Sequence, residues 1–346
     1  MTDTMRAYQL MAPGKAVVNR IPIPEPGRGQ VRLKIAGAGL CHSDLLVIHA
    51  DPAFFPTPSI LGHEATGIVD RIGDEVSGVE IGSAYGIYFP WGCGHCAPCA
   101  TGAENLCDSA PAIPGFGCGL DGGMAEYVIV DDPRHLIPLG DLNPVAAAPL
   151  MCAGITTYHA IAGIKDRLGP GSSAVIIGIG GLGHIAIQIL KALTPATIIA
   201  VDRHEEKLAH ARALGAHDTV LAGPEAAAEI RRATGGRGAA LVIDLVGNDV
   251  TLATAQAALA MGGQLQVVGV GGGTLPVRFH EMPRDASVSV PYAGSTSDLR
   301  DVISLAQDGH VHAEIVRIGF DQLEDTYRAM DEGRLQGRAV LVPETL

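Results

Sequence analysis

Cysteines stand at positions 93, 96, 99 and 107, with spacings of two, two and seven intervening residues. Four thiolates this close in sequence can close a tetrahedral zinc shell, with no position left over for a substrate. A disulfide framework fits poorly, because the total of seven cysteines is odd and nothing marks an oxidising compartment. A redox pair would need only two cysteines beside a βαβ unit. Cys93, Cys96, Cys99 and Cys107 therefore read as a closed structural metal site. It is a staple, and the chemistry must lie elsewhere.

A second set is scattered along the chain. "GLCHSD" places Cys41 beside a potential proton carrier, Ser43, and an acid, Asp44. "LGHEATG" adds His63 and Glu64, and "PLMCAGITTYHA" adds Cys152. Alone, a buried cysteine is usually a small hydrophobe. Together, Cys41, His63 and Cys152 make two thiolates and one imidazole, a set that leaves zinc one open position. Cys118 is assigned no role.

"VIIGIGGLGHIAIQIL" supplies Gly178, Gly180 and Gly183 in the G-x-G-x-x-G spacing, with Gly181 and Leu182 inside the loop. A strand precedes the motif and a helix follows it. The next strand, "TIIAVD", ends in Asp202, nineteen residues after Gly183. Gly178 permits the tight turn, Gly180 lets the backbone approach a pyrophosphate, and Gly183 lets helix and strand pack closely. The helix N-terminus offers free N–H groups to the phosphates. Asp202 can accept both ribose hydroxyls of NAD, and its charge would repel a 2′-phosphate. Arg203 follows it, but the carboxylate is expected to win, so NAD is the expected cofactor. Val246 joins these residues as a candidate cofactor contact.

These residues need elements to position them. The chain has 346 residues, 47% of them apolar and 18% charged, enough for two domains with buried cores. Net charge is −13 and no Lys/Arg-rich run occurs, which argues against a nucleic-acid or anionic-membrane partner. The N-terminus "MTDTMRAYQL" lacks the basic start and apolar run of a signal peptide, so a cytoplasmic location is expected. Residues 1–150 alternate in short runs such as "VRLKIAGAGL" and "EATGIVDRIG", predicting a β-rich domain. From about Ser172, "AVIIG", "TIIAVD", "TVLA", "ALVIDLVG" and "GQLQVVGV" alternate with Ala/Leu-rich helices. Residues 151–290 are therefore expected to form a doubly wound parallel sheet. The fold class is α/β; beyond residue 290 the alternation weakens, and the pattern alone does not place residues 291–346.

The order "GLCHSD", "GHEATG", four clustered cysteines and "GIGGLG" resembles the zinc-containing medium-chain dehydrogenase/reductases over essentially the whole chain. "PWGCG", "GGMAEYVIVDDPRHLIP" and "PVAAAPL" look closest to the bacterial NAD-dependent secondary-alcohol dehydrogenases. The resemblance implies a GroES-like catalytic domain to which residues 291–346 return, a Rossmann domain, and two zinc ions per subunit, one catalytic and one structural. It makes Cys41, His63 and Cys152 the catalytic zinc ligands. Glu64 resembles a carboxylate that approaches the metal, Asp44 would orient His63, and Ser43 stands where the family keeps the residue that takes the alcohol proton. Lys207 fits a second adenosine-ribose contact. Thr156, Val268 and Val270 are candidates along the nicotinamide, and Arg338 a candidate for the pyrophosphate. A homodimer or homotetramer is implied as well.

The chain departs from that pattern at three places. His42 stands where animal enzymes often have an arginine on the pyrophosphate. Leu46 replaces a relay histidine, and His49 is out of register to substitute for it. Several bacterial relatives use Asp or Glu where this chain has Cys152. Tyr88, Phe89, Trp91 and Tyr292 are candidates for an apolar substrate pocket, although aromatic side chains are as often plain core. With few polar candidates, the expected substrate pair is a medium-sized apolar secondary alcohol and its ketone. A primary alcohol or aldehyde, a polyol, a zinc-free quinone or enone reductase using NADPH, and a non-catalytic zinc- and nucleotide-binding protein are the alternatives.

Overall fold

The computed structural model describes residues 3–51, 53–109, 115–335 and 337–343. The chain separates into two compact units. The first comprises Met1–Ile155, Gly294–Asp308 and His312–Leu346, and the second comprises Thr156–Ala293 with Gly309–Val311. The first division falls at Ile155/Thr156 rather than at residue 150. The reason is local packing: Thr66 Oγ1 donates to Pro144 O at 2.7 Å, and Met151, fully buried, fills the space beside Gly86.

The first unit is built on a seven-stranded sheet. Its order is Leu136–Pro138, Ala84–Ile87, Glu64–Ile72, Val31–Gly39, Arg338–Leu341 and Ile315–Ile318, with Tyr127–Val130 also pairing on Val31–Gly39. Val31–Gly39 is buried along nearly its whole length, because neighbours cover it on both sides. Its last residue sets the site. Gly39 lies opposite Glu64 on one side and Val340 on the other, and Leu40 N–H donates to Ala339 O. Any side chain at Gly39 would occupy the space of the Glu64 carboxylate.

Beyond Gly39 the chain turns into a helix, His42–His49, within the stretch read as β-rich. Alternation could not reveal it, since "HSDLLVIH" has neither a clean apolar face nor a strand period. The helix forms because Asp44 caps it, accepting from Cys41 N–H at 2.8 Å.

The second unit carries six parallel strands. Their spatial order is the third, second, first, fourth, fifth and sixth in chain order: Asp218–Leu221, Thr197–Asp202, Ser173–Ile177, Ala239–Asp244, Leu259–Val267 and Ser287–Ser289. The helices Gly183–Leu193, Glu205–Leu214, Ala226–Ala233 and Asp249–Ala258 connect them. Val175, Ile177, Ile199, Val201, Val242 and Leu265 are fully or nearly fully buried at its centre. Strand order reverses between Ser173–Ile177 and Ala239–Asp244, the place where such sheets bind nucleotides. Among the described residues no single helix is long and apolar enough to cross a membrane.

Candidate active site

Register and turn bring the scattered ligands together inside the first unit. One ligand atom from each of Cys41, His63, Glu64 and Cys152 lies within 4.8 Å of the others, and all four residues are buried. Two soft thiolates and an imidazole suit zinc. His63 Nδ1 sits 3.1 Å from Asp44 Oδ1, off the axis of a good hydrogen bond, which leaves Nε2 as the ligand nitrogen. Phe89 meets the His63 ring edge-on at 5.1 Å. Ser43 Oγ lies 3.6 Å from Cys41 Sγ.

The charges of this cluster call for a cation. The Cys41 thiol is held well below its ordinary pKa by hydrogen bonding to Cys152, against the cost of burial and with help from the charges of Arg338 and His63. Cys152 is pushed the other way, first by that same Cys41 partner and then by burial. Two thiols in contact cannot both ionise at low cost without a positive ion between them. Burial opposes a charged His63, yet Cys152, Cys118 and Asp44 together raise its pKa well above the usual value. Cys118 thus faces His63, which nothing in its sequence neighbourhood signals.

Two assigned residues hold each other. Arg338 Nε donates to Glu64 Oε2 at 3.0 Å, its Nη2 contacts Oε1, and both side chains are buried. Arg338, expected on the pyrophosphate, has its guanidinium spent on Glu64 here. His42 is exposed at the start of its helix, Leu46 is 53% exposed, and His49 is exposed at the helix end.

The four cysteines of the staple also converge, with ligand atoms within 4.8 Å of one another. Cys93, Cys96 and Ser109 N–H groups point at thiol sulfurs at 3.3–3.4 Å. The lobe is braced by Glu104, which accepts from Gly92 N–H at 2.7 Å and from Arg134 Nε at 3.1 Å, and meets His135 Nε2 at 3.2 Å. Burial works against this carboxylate, but His135, the Gly92 N–H and Arg134 bring its pKa down to about 2. A depressed carboxylate stabilises above its unfolded pKa, ~4.3, and that stabilisation is lost as pH falls through the folded value. Glu104→Gln is expected to melt earlier than wild type by the equivalent of about 2 kcal/mol at neutral pH, discounted for the half-exposed Arg134. The gap should close between roughly pH 4 and about 2 in a pH series of thermal melts.

In the second unit the glycine loop differs position by position. Gly178 has φ +96° and an added Cβ would lie 2.8 Å from Val246 Cγ2, so the turn requires glycine. Gly183 has no room for a side chain against Gly178 O, while the space over Gly180 is open. Gly181 and Leu182 are half-buried in the same loop. Asp202, at the end of its strand, accepts from Ile179 N–H at 2.7 Å and from His204 N–H at 3.0 Å, which ties it to the loop. Lys207 is half-buried on the following helix, Arg203 is exposed and donates to His204, and Thr156 is buried. Val268 N–H and Val246 N–H both donate to Asp244, and Val270 is 55% exposed.

The aromatic candidates separate. Tyr88 is completely buried, donating to Gly294 O at 2.8 Å and accepting from Asn105 N–H, so it is core rather than pocket wall. Trp91 is core as well: its Nε1 donates to Tyr88 O, and its ring stacks on His135 at 4.8 Å. The motif context that suggested a pocket cannot distinguish a wall from the layer behind it. Tyr292 is 57% exposed in the second unit, and Phe89 lies against the metal ligand His63.

Residues 27–141 match the alcohol dehydrogenase GroES-like domain, and residues 181–308 match the zinc-binding dehydrogenase domain. The chain is 38% identical to an NAD-dependent alcohol dehydrogenase of Sulfurisphaera tokodaii, over 98% of this chain and 100% of that one. Among solved structures, the alcohol dehydrogenase of Aeropyrum pernix superposes with a TM-score of 0.90 at 33% identity, covering 98% and 100% of the two chains. The acetophenone reductase of Geotrichum candidum, in complex with NAD, gives a TM-score of 0.87 at 28% identity over 99% and 98%.

Proposed function

The chain belongs to the zinc-containing medium-chain alcohol dehydrogenases and uses NAD, and from that premise we propose that its substrates are medium-sized apolar secondary alcohols and the matching ketones. The observation that carries this is Phe89, an apolar wall against the ligand His63, in a site with Ser43 as the hydroxyl beside Cys41. The likeness to an acetophenone reductase supports the same substrate class.

Zinc held by Cys41, His63 and Cys152 would supply Lewis acidity, lowering the pKa of an alcohol hydroxyl or polarising a carbonyl. NAD supplies the hydride acceptor. The chain's own groups do the rest. Asp44 keeps the His63 ring turned toward the ion. Ser43 takes the hydroxyl proton. Arg338 holds the Glu64 carboxylate beside the ligands. Leu46, half-exposed and apolar, has no group that could carry the proton onward.

We assign the staple a second zinc, making two per subunit, and read the protein as cytoplasmic because both sites need reduced thiols. Val288 in the edge strand Ser287–Ser289 and Val290 just after it are exposed, as are Val277 and Phe279 in the segment before it, Phe279 to 90%. That apolar edge supports a homodimer or homotetramer.

The test is steady-state turnover of 1-phenylethanol and of a polyol such as sorbitol, each with NAD and NADP. Wild type should favour the apolar alcohol and NAD. Asp202→Asn keeps an acceptor for the loop but removes the charge, and should lower the NAD-to-NADP preference by ~10-fold or more. Faster oxidation of the polyol would sink the substrate assignment, and an unmoved cofactor ratio would remove Asp202 from the discrimination.

A further inference from the structure

A buried tyrosine 283 residues away in sequence touches the support of the metal site: Tyr327 Oη donates to Asp44 Oδ2 at 2.8 Å. Asp44 is completely buried. Its two oxygens are used differently. Oδ2 takes two donors, Cys41 N–H and the Tyr327 hydroxyl, whereas Oδ1 has His63 Nδ1 at 3.1 Å. The carboxylate plane is therefore set from the Oδ2 side, and the direction of Oδ1 follows from it.

We propose that Tyr327 is a positioning residue of the catalytic metal site: by fixing Asp44 it fixes the His63 imidazole as the Nδ1–H tautomer with Nε2 toward the ion. The proposal rests on the reading of Cys41, His63 and Cys152 as that site. Several features favour positioning over packing alone. The hydroxyl sits in a buried environment where an unbonded one would be costly, and its other neighbour is a thioether, Met124 Sδ at 3.5 Å. A hydrogen bond to a buried carboxylate is of the strong, charge-assisted kind. Burial first, then the negative charge of Asp44, raise the tyrosine's pKa well above its ordinary value, so the group stays a donor. Packing is supplied by the rest of the residue: Tyr327 sits on the buried face of Leu323–Asp331 and stacks on Tyr8, with centroids 6.3 Å apart.

Tyr327→Phe removes the hydroxyl and keeps the ring. Tyr8→Phe, on the other ring of the stack, leaves the contacts of Asp44 in place. The zinc-loaded full chain is mixed with the chromophoric chelator pyridylazoresorcinol, and release is resolved into its two phases. The catalytic site is also loaded with cobalt and its visible absorption recorded. Tyr327→Phe should release one zinc ~10-fold faster than wild type, the low end for a group supporting a metal ligand. The four-thiolate phase should not change. The cobalt bands should shift, and kcat should fall with KM little altered. Tyr8→Phe should match wild type throughout.

Wild-type release and spectrum in Tyr327→Phe would overturn the proposal, as would equal effects in the two variants, which would mean packing. The zinc-loaded wild type gives a check that needs no variant: nitrogen NMR shifts of His63 showing Nε2–H rather than Nδ1–H would also overturn it. If wild type holds no ion at Cys41, His63 and Cys152, the site assignment fails first, before any variant is compared.

Discussion

Cys152→Ser should leave the protein with one zinc per subunit instead of two, and with turnover reduced by more than ~100-fold, since even the partners of metal ligands cost 10–100-fold. A serine hydroxyl stays neutral at pH 7 and cannot replace an anionic ligand. The remaining donors, Cys41 and His63, do not close a zinc site with one open position. Glu64 is the obvious substitute, as its carboxylate lies in the same cluster, but it is already bound on both oxygens by Arg338. Metal content by mass spectrometry and NAD-linked oxidation give the two readouts. Two zincs retained with turnover intact would remove Cys152 from the ligand set and put Glu64 in its place.

Arg338→Met should destabilise the first unit by about 3–5 kcal/mol, the cost of leaving a buried partner charge uncompensated. Glu64 has no exposed surface through which water could reach it. The arginine's charge also helps keep Cys41 anionic, so the variant should bind zinc more weakly. Replacing the pair by apolar residues of similar volume is often neutral. The double variant Glu64→Leu/Arg338→Met should therefore unfold closer to wild type than Arg338→Met alone. Urea unfolding of the zinc-loaded proteins checks this, and a double variant as weak as the sum of the singles would show that no such coupling exists.

The fold class was legible because its signals are local. The strand, glycine turn and helix around Gly178–Gly183 lie within one short stretch, and so do the four clustered cysteines. Short helices inside the β-rich half were not legible, because His42–His49 is held by one capping carboxylate and has no apolar stripe. The metal ligands could be listed from residue type and order. What braces them could not. Tyr327 reaches Asp44 by the packing of two helices, and Arg338 reaches Glu64 through the register of the sheet, across 283 and 274 residues with no nearby motif. Glu104 with Arg134 and His135 was missed for the same reason, although a glutamate set among clustered cysteines is a signal that could have been followed.

The two units differ in how their segments are spread along the chain. The second is nearly one continuous segment, Thr156–Ala293 with Gly309–Val311. The first is closed by the strand Arg338–Leu341, which slides in beside Val31–Gly39, laid down some three hundred residues earlier. Until that strand arrives, Glu64 lacks its counter-charge, and until Leu323–Asp331 arrives, Asp44 lacks its second donor. The carboxylates that support Cys41, His63 and Cys152 are thus held by segments far downstream of the ligands themselves.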